Sequence, residues 1–185
     1  MAVFDSLAAE LGVSGRSLRR AVERGTIRAR RLSPRRIELS FGERHYLETY
    51  WELLSRLVSL LRTHRNVRLA VVYGSVARGD DRPESDLDLL VSFAREEAQT
   101  AASLAVALGE EIGRRVQVVS LATVRRSPLL LLDIPREGRV LVDRDEEWRA
   151  LAQGERQIRR KAAAAEAMLD RRIAELAELV GAGGR

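Results

Sequence analysis

Two aspartates separated by one residue are the first groups in this chain whose types and spacing suit catalysis. Asp86 and Asp88 lie in an apolar run typical of a strand, so both carboxylates face one side, about 6–7 Å apart along the backbone. Leu87 and Leu89 then point the other way, into the core. Because two such charges repel each other and raise one pKa unless a cation lies between them, the pair predicts a site for a divalent metal ion.

A glycine–serine pair lies upstream of these aspartates. The apolar, β-branched run over residues 67–73 predicts a buried strand, and it ends at Gly74, whose missing Cβ lets the backbone bend and approach a ligand closely. Ser75 supplies a hydroxyl and an N–H at the start of a short helical turn, which favours phosphate binding. Opposite the two carboxylates, this turn predicts a site for Mg²⁺ carrying a nucleoside triphosphate.

The order Gly-Ser, ten residues, Asp-x-Asp resembles the signature of the polymerase-β-type nucleotidyltransferase superfamily. The longer pattern Gly-Ser-x-Ala-Arg-Gly, followed by Ser-Asp-x-Asp-Leu-Leu-Val, is similar to that of its minimal bacterial branch, and the resemblance covers roughly residues 66–143. It implies a mixed sheet with helices and transfer of NMP from an NTP, with ATP the expected NTP and pyrophosphate the leaving group. In that mechanism Asp86 and Asp88 hold the metal ions, Mg²⁺ or Mn²⁺, while Gly74 and Ser75 hold the β- and γ-phosphates.

One position departs from the superfamily pattern. A third carboxylate usually lies on the next strand, and the position that matches best in this chain holds Gln117. An amide cannot carry the negative charge that a second metal or a general base needs. Asp133 and Glu110 are possible substitutes, although neither lies on the expected strand. Arg78 has two open interpretations, as a phosphate ligand or as a surface arginine.

These residues leave two functions open. The first is an active nucleotidyltransferase with a protein or nucleic-acid acceptor; some minimal family members are antitoxins that transfer AMP to a tyrosine of a partner toxin. The second is a regulator with weak or no catalysis, in which the same fold senses nucleotide or binds a partner protein. The intact Gly-Ser and Asp-x-Asp motif favours the first function, and Gln117 favours the second.

The positive charge of the chain is concentrated near its beginning. Of its 32 basic residues only Lys161 is a lysine, and the net charge is +5 at pH 7. Residues 1–41 hold nine arginines and four acidic residues, so they carry the whole excess and the remainder is neutral. A small basic module on a neutral body predicts binding to a phosphate backbone, and therefore DNA as a partner.

The same segment predicts two helices joined by a tight turn. Apolar residues recur at helical spacing over 4–11, and Gly12 ends this first helix. Ser14 is the expected N-cap of a second helix over 15–24, and Gly25 closes it. The stretch over residues 7–14 resembles the first half of many bacterial regulator DNA-binding modules, in which the second helix enters the major groove.

Two short strands after these helices predict a wing. They are expected over 26–30 and 36–40, with a turn at 33–35. With the helices they make a winged helix-turn-helix over residues 1–41. The residues predicted to contact DNA are exposed ones on the second helix and on the hairpin: Arg16, Ser17, Arg19 and Arg20, then Arg28, Arg30 and Arg35.

The rest of the chain predicts an α/β (α+β) fold, a nucleotidyltransferase-like mixed sheet flanked by helices. The expected units are the winged module 1–41, a connecting helix within 42–65, a nucleotidyltransferase domain 66–143 and a C-terminal helix with tail 144–185. Strands are predicted over 67–73, 86–93, 115–121 and 139–143, and helices over 43–64, 94–113, 129–134 and 145–180, the last with a weak point at Gly154.

Composition excludes several other classes. The chain has no cysteine and two histidines, His45 and His64, which excludes disulfide frameworks, thiol catalysis and histidine-rich metal sites. No apolar run approaches the ~20 residues of a membrane span, and the first residues show no signal-peptide pattern. We therefore expect a cytoplasmic protein without a membrane partner. We expect a homodimer, since winged modules commonly read paired half-sites and the terminal helix offers an apolar stripe.

Overall fold

A computed structural model of the chain describes residues 2–33, 36–95, 97, 99–125, 134–154, 159–160, 162–164, 166–168 and 170–173. Its helices are α1 (Ala2–Glu10), α2 (Gly15–Arg24), α3 (Phe41–Thr63), α4 (Gly74–Arg78), α5 (Thr100–Ile112), α6 (Leu121–Val124), α7 (Ile134–Glu137) and α8 (Glu147–Gln153). Its strands are β1 (Arg30–Ser33), β2 (Arg36–Glu38), β3 (Val67–Tyr73), β4 (Leu87–Phe93), β5 (Val116–Ser120) and β6 (Arg139–Asp143).

A mixed four-stranded sheet with the order β5-β4-β3-β6 forms the centre of the fold. Strand β3 pairs antiparallel with β4 and β6, whereas β4 and β5 are parallel. One face, with Val72 and Leu89, packs in a single apolar cluster with α3 and α5. The other face, with Val71 and Leu90, packs against α6, α7 and α8. This architecture confirms the predicted mixed sheet flanked by helices.

The two N-terminal helices follow the sequence prediction closely. Helix α2 begins after Ser14, whose hydroxyl accepts a hydrogen bond from the Ser17 N–H at 3.1 Å. It ends at Gly25, whose φ of +91° lies in the left-handed region that favours glycine. Leu7 of α1 and Leu18 of α2 are fully buried, and they belong to the same cluster as the sheet. The first two helices therefore share a core with the sheet.

The first wing strand is shifted from its predicted place. We expected residues 26–30, but β1 runs over Arg30–Ser33 and pairs antiparallel with β2. Thr26 and Ile27 are instead buried against the body, where the Thr26 hydroxyl donates to the Val140 carbonyl. Because this segment is buried against the body, it is not part of the hairpin, which begins at Arg30. Residues 34–35 of the predicted turn lie outside the described residues.

Helix α3 connects the two parts of the core. It runs over Phe41–Thr63, two residues longer at its start than predicted, and the Ser40 hydroxyl caps it by accepting from the Glu43 N–H at 3.1 Å. Its inward-facing side chains contact both the N-terminal helices and the sheet. The fully buried ones are Leu47, Leu54, Leu57 and Leu61.

Two further predictions needed correction, and a third lies almost entirely outside the described residues. The predicted helix over 94–113 begins only at Thr100, because the Asn66 side chain binds the backbone N–H and carbonyl of Arg95 at 2.9 and 2.8 Å and so takes up groups that a helix would use. The predicted strand over 115–121 ends at Ser120, whose hydroxyl caps the short helix α6. Of the helix predicted over 129–134, only residue 134 is described, and it begins α7.

The C-terminal segment is described in pieces. Helix α8 ends at Gln153 and Gly154 is its C-cap, so the weak point predicted at Gly154 ends this helix. The described residues from 159 to 173 are helical, and Ala162 is buried whereas Ile173 is exposed. The other members of the predicted apolar stripe, and the tail to residue 185, lie outside the described residues. In the described part of the chain, no helix combines the length and the apolar character needed to cross a membrane.

Candidate active site

The bend between β3 and α4 forms one wall of the candidate site. Gly74 has a φ of +71°, in the left-handed region that side-chain-bearing residues rarely adopt. A Cβ at this position would lie 2.7 Å from Asp88 Oδ2, closer than any ordinary contact. Glycine is therefore required twice, for the backbone angle and for the approach of the Asp88 carboxylate. Ser75 follows in α4, directly beside this contact.

Asp86 and Asp88 lie at the start of β4, and the strand alternates as predicted. Leu87 and Leu89 between and beyond them are fully buried in the cluster under α3 and α5. Asp88 is half-buried and pairs with Tyr73 at the end of β3. Asp86 lies just before the strand begins. Asp88 is thus on the face opposite α3 and α5, next to the Gly74 bend, and Asp86 lies near enough for its charge to act on Asp88.

The parallel pairing of β4 with β5 brings two further side chains to this face. Asp88 is in register with Gln117, and Leu87 is in register with Val116, so Arg115 lies beside Asp86. Arg115 donates a hydrogen bond to Asp86 Oδ1 although its own side chain is 81% exposed. The site therefore presents two carboxylates at the start of β4, one within the strand and one just before it, with an arginine and an amide at the start of β5.

The two carboxylates differ in their electrostatic environment. Burial raises the pKa of Asp88, and the charge of Asp86 raises it further. The hydrogen bond from Arg115 lowers the pKa of Asp86. A cation between these groups would relieve both the repulsion and the cost of burying Asp88, and carboxylate oxygens are the ligands that Mg²⁺ and Mn²⁺ prefer.

The loop between α4 and β4 is fastened by residues that sequence reasoning did not single out. Arg114 donates from Nε to the Ser85 carbonyl and from a terminal nitrogen to Asp81 Oδ2, both at 2.7 Å. The Tyr50 hydroxyl donates to the other oxygen of Asp81. The sequence indicated Arg114 only through its position shortly before β5, the strand that pairs in parallel with β4.

The C-terminal carbonyls of α4 are held by a buried ion pair. Arg139 is 1% exposed and donates from Nε to the Ala77 carbonyl at 2.8 Å. Its two terminal nitrogens bind both carboxylate oxygens of Glu43, at 2.6 and 2.9 Å. The Tyr46 hydroxyl donates to the neighbouring Val76 carbonyl at 3.0 Å, and the Arg139 guanidinium lies 3.4 Å from the Tyr46 ring centroid. The candidate phosphate turn thus rests on a fully paired polar support.

Other residues proposed for the site are placed as follows. Arg78 is engaged by Glu137 at 2.9 Å and by Asp80 at 3.1 Å. Glu110 is on α5, which packs on the opposite face of the sheet. Asp133 lies outside the described residues. Within the described ranges, no third aspartate, glutamate, histidine or cysteine joins Asp86 and Asp88 in a metal-binding group.

The residues predicted to contact DNA fall into two groups. On α2 the side chains of Arg16, Ser17, Arg19 and Arg20 are exposed, and Arg30 is exposed on β1. Arg28 instead donates to the carbonyls of Ala77 and Glu137, so its guanidinium faces the sheet domain. Arg35 lies outside the described residues. The structure therefore keeps one cationic helix face open and engages Arg28 elsewhere.

Paired carboxylates at the start of a strand, set against a glycine-serine bend on a mixed sheet, are the arrangement that the sequence motif led us to expect. The family model for polymerase beta nucleotidyltransferases matches residues 55–147. The chain belongs to this nucleotidyltransferase family, which confirms the resemblance seen in the motif. No curated protein matches the chain in sequence.

Solved structures of toxin–antitoxin complexes are similar to this chain in fold. A chain of a toxin–antitoxin complex with AMP-PNP gives a TM-score of 0.55 at 21% identity, covering 65% of this chain and 98% of its own length. A chain of the MntA–HepT complex gives 0.52 at 19% identity, covering 66% and 98%. A chain from the complex of a tri-AMPylated Shewanella oneidensis HEPN toxin with its MNT antitoxin gives 0.53 at 19% identity, covering 68% and 99%.

Proposed function

We propose that this chain is a metal-dependent nucleotidyltransferase that transfers NMP from an NTP, first of all AMP from ATP, to a partner toxin protein. The observation that carries the proposal is the close approach of Asp88 to the Gly74 bend, with Asp86 nearby, in a chain of the nucleotidyltransferase family. The toxin acceptor is supported by the similar folds, one of which is in complex with a tri-AMPylated toxin and another with AMP-PNP.

In this proposal each group has a defined task. Asp86 and Asp88 would hold Mg²⁺ or Mn²⁺, which supplies charge neutralisation at the triphosphate when bound. Gly74 leaves room for the phosphates beside Asp88, and Ser75 offers its hydroxyl and N–H to them. Arg115 pairs with Asp86, and its exposed side chain would be able to contact a phosphate bound beside that carboxylate.

A second candidate function is favoured by Gln117. The residue in register with Asp88 carries an amide, so it can neither take a proton from an acceptor hydroxyl nor add charge for a second metal. A chain with only two carboxylates would bind metal and nucleotide while transferring slowly or not at all. It would then act as a DNA-binding regulator that senses nucleotide or binds a partner protein.

Labelled nucleotide distinguishes these candidates. The purified chain would be incubated with [α-³²P]ATP and Mg²⁺ or Mn²⁺, alone and with a co-expressed partner toxin. Label on the partner that disappears in Asp86→Asn and Asp88→Asn supports transfer, whereas Glu110→Gln, on the opposite face of the sheet, should leave it intact. Nucleotide binding without label on any acceptor supports the regulator. Nucleotide binding unchanged in the Asp86→Asn, Asp88→Asn double variant would refute the site itself.

We further propose that the N-terminal segment is a winged helix-turn-helix that binds DNA, as a homodimer on paired half-sites. Its support is the concentration of charge in residues 1–41 and the open face of α2. Replacing Arg16, Arg19 and Arg20 by alanine should weaken operator binding and flatten its salt dependence. The matched control removes three exposed arginines elsewhere, Arg65, Arg95 and Arg149. Equal losses in both triple variants would show a general charge effect, which contradicts a reading helix.

A further inference from the structure

A cavity of about 250 Å³ lies between α2 and α3, and it shares no residue with the Gly74–Asp88 site. Its floor is apolar, with Leu54 and Val58 of α3. Its walls are basic and carry no acidic residue. The wall residues used below are Ser17, Arg20 and Arg24 from α2, and Trp51, Ser59 and Arg62 from α3.

The three arginines of this cavity have no anionic partner among the described residues. Elsewhere in the described chain guanidinium groups are commonly paired, as Arg139 is with Glu43 and Arg114 with Asp81. Arg24 donates from Nε to the Thr26 hydroxyl at 2.9 Å, which leaves its terminal nitrogens for another acceptor. Three arginines that line one cavity without a counter-charge form a surface that an anion would neutralise.

Electrostatics at Arg24 point in the same direction. Burial, together with the positive charge of Arg62, lowers the pKa of Arg24 to about 10. The charged guanidinium is thus held at a cost, both from lost solvation and from repulsion. An anion between Arg24 and Arg62 removes the repulsion and replaces lost water contacts with charge-assisted hydrogen bonds.

We infer that this cavity binds a small phosphate-bearing anion. Planar guanidinium groups match phosphate oxygens in pairs, which is why arginine is the usual residue for phosphate recognition. The volume lies below the roughly 300–1,000 Å³ of pockets for larger organic ligands, so the ligand is the size of phosphate, pyrophosphate or a nucleoside monophosphate. Trp51 adds an aromatic wall on which a base can stack.

The position of the cavity gives the ligand a consequence, which rests on the proposed DNA-binding function. Ser17 and Arg20 line the cavity and also belong to the predicted DNA-contacting set. A bound anion would therefore compete with DNA for Arg20. The binding of the small ligand itself depends neither on DNA nor on the Asp86–Asp88 site.

Fluorescence of Trp51 provides the assay. The chain has two tryptophans, so Trp148→Phe leaves Trp51 as the single reporter. Phosphate, pyrophosphate and AMP are titrated separately in buffer with EDTA, which keeps divalent cations from binding at the proposed Asp86–Asp88 site. We expect saturable binding that weakens at least tenfold in Arg24→Gln, Arg62→Gln and stays within twofold in Arg149→Gln, a control at an exposed arginine of α8. If the double variant does not fold, Arg62→Gln alone carries the comparison, because Arg62 is exposed.

A second variant tests the missing counter-charge without any ligand. Ser59→Glu places a carboxylate at the cavity, so it should raise the melting temperature of the unliganded chain and abolish anion binding. Absence of saturable binding, or equal weakening in Arg149→Gln, would overturn the inference. Quenching by operator DNA alone, with no response to the three small anions, would assign the arginines to the DNA backbone and also overturn it.

Discussion

The contact between the Gly74 bend and Asp88 can be tested by a single methyl group. Alanine at position 74 must adopt a φ of +71°, which costs an L-residue roughly 1–2 kcal/mol. Its Cβ would lie 2.7 Å from Asp88 Oδ2, whereas ordinary contacts begin at 3.4 Å. The carboxylate or the bend must therefore move by about 0.7 Å, and displacements near 1 Å in a catalytic site cost on the order of 100-fold in rate.

We expect Gly74→Ala to lower the free energy of unfolding by about 1–2 kcal/mol and to weaken Mg²⁺-dependent nucleotide binding, with transfer reduced between about tenfold and 100-fold. Urea unfolding gives the first quantity. Titration with a fluorescent ATP analogue and the labelling assay give the others. The binding measurement keeps the test valid for a chain that transfers slowly.

A matched glycine separates backbone strain from the clash. Gly12 has a φ of +65°, and a Cβ there would have no heavy atom within 4 Å. Gly12→Ala should therefore lose a similar stability and keep nucleotide binding at the parent level. Should Gly74→Ala bind nucleotide as well as Gly12→Ala does, the close approach of the bend to Asp88 would have no role in the site.

Three further changes follow from the same structure. Arg139→Met should lower the free energy of unfolding by about 3–5 kcal/mol, because it leaves Glu43 buried and without its ionic partner. The double variant Glu43→Leu, Arg139→Met should recover most of that loss in urea unfolding. A double variant as unstable as the single one would contradict this reasoning. Because the pKa of Asp88 is raised, metal binding should be lost as the pH falls through a value above the usual aspartate range. Over the same fall in pH the metal-free native state gains stability, because it binds the proton of Asp88 more tightly than the unfolded chain does. Asp86→Asn should lower the pKa of Asp88 in an NMR titration, and an unchanged pKa would show that the charge of Asp86 contributes nothing to the shift. Gln117→Asp, in register with Asp88, should raise the transfer rate at least tenfold, and an unchanged rate would show that the third position is not limiting.

Local sequence signals predicted the elements that local interactions determine. Ser14 and Gly25 bound α2 because a hydroxyl cap and a left-handed C-terminal residue act within one turn. Strand β3 and strand β6 were predicted with their observed limits because their apolar side chains are buried on both faces. The alternation correctly predicted that Leu87 and Leu89 point into the core, since alternation along a strand needs no distant partner.

Distant pairings explain what the sequence could not predict. Glu43 follows Ser40 by three residues, the spacing of a capping box, and nothing local distinguishes it from an exposed N-terminal glutamate. Its carboxylate instead binds Arg139, 96 residues away. The shift of the first wing strand has a similar origin, because the burial of Thr26 depends on Val140. Arg115 was missed because its role follows from the parallel register of β4 and β5.

The buried Glu43–Arg139 pair joins parts of the chain that the proposed functions assign to different ligands. Arg139 donates to the Thr26 carbonyl at 3.3 Å as well as to Ala77 at the end of α4, and the Arg28 N–H donates to Glu43 at 2.9 Å. A buried donor or acceptor that loses its hydrogen-bond partner costs free energy. If nucleotide binding displaced α4, the contacts of Arg139 with Thr26 and of Glu43 with Arg28 would therefore have to shift with it. If nucleotide binding changed the affinity for DNA by some factor, DNA binding would change the affinity for nucleotide by the same factor. Coupling between nucleotide binding and DNA binding would therefore pass through the Glu43–Arg139 ion pair.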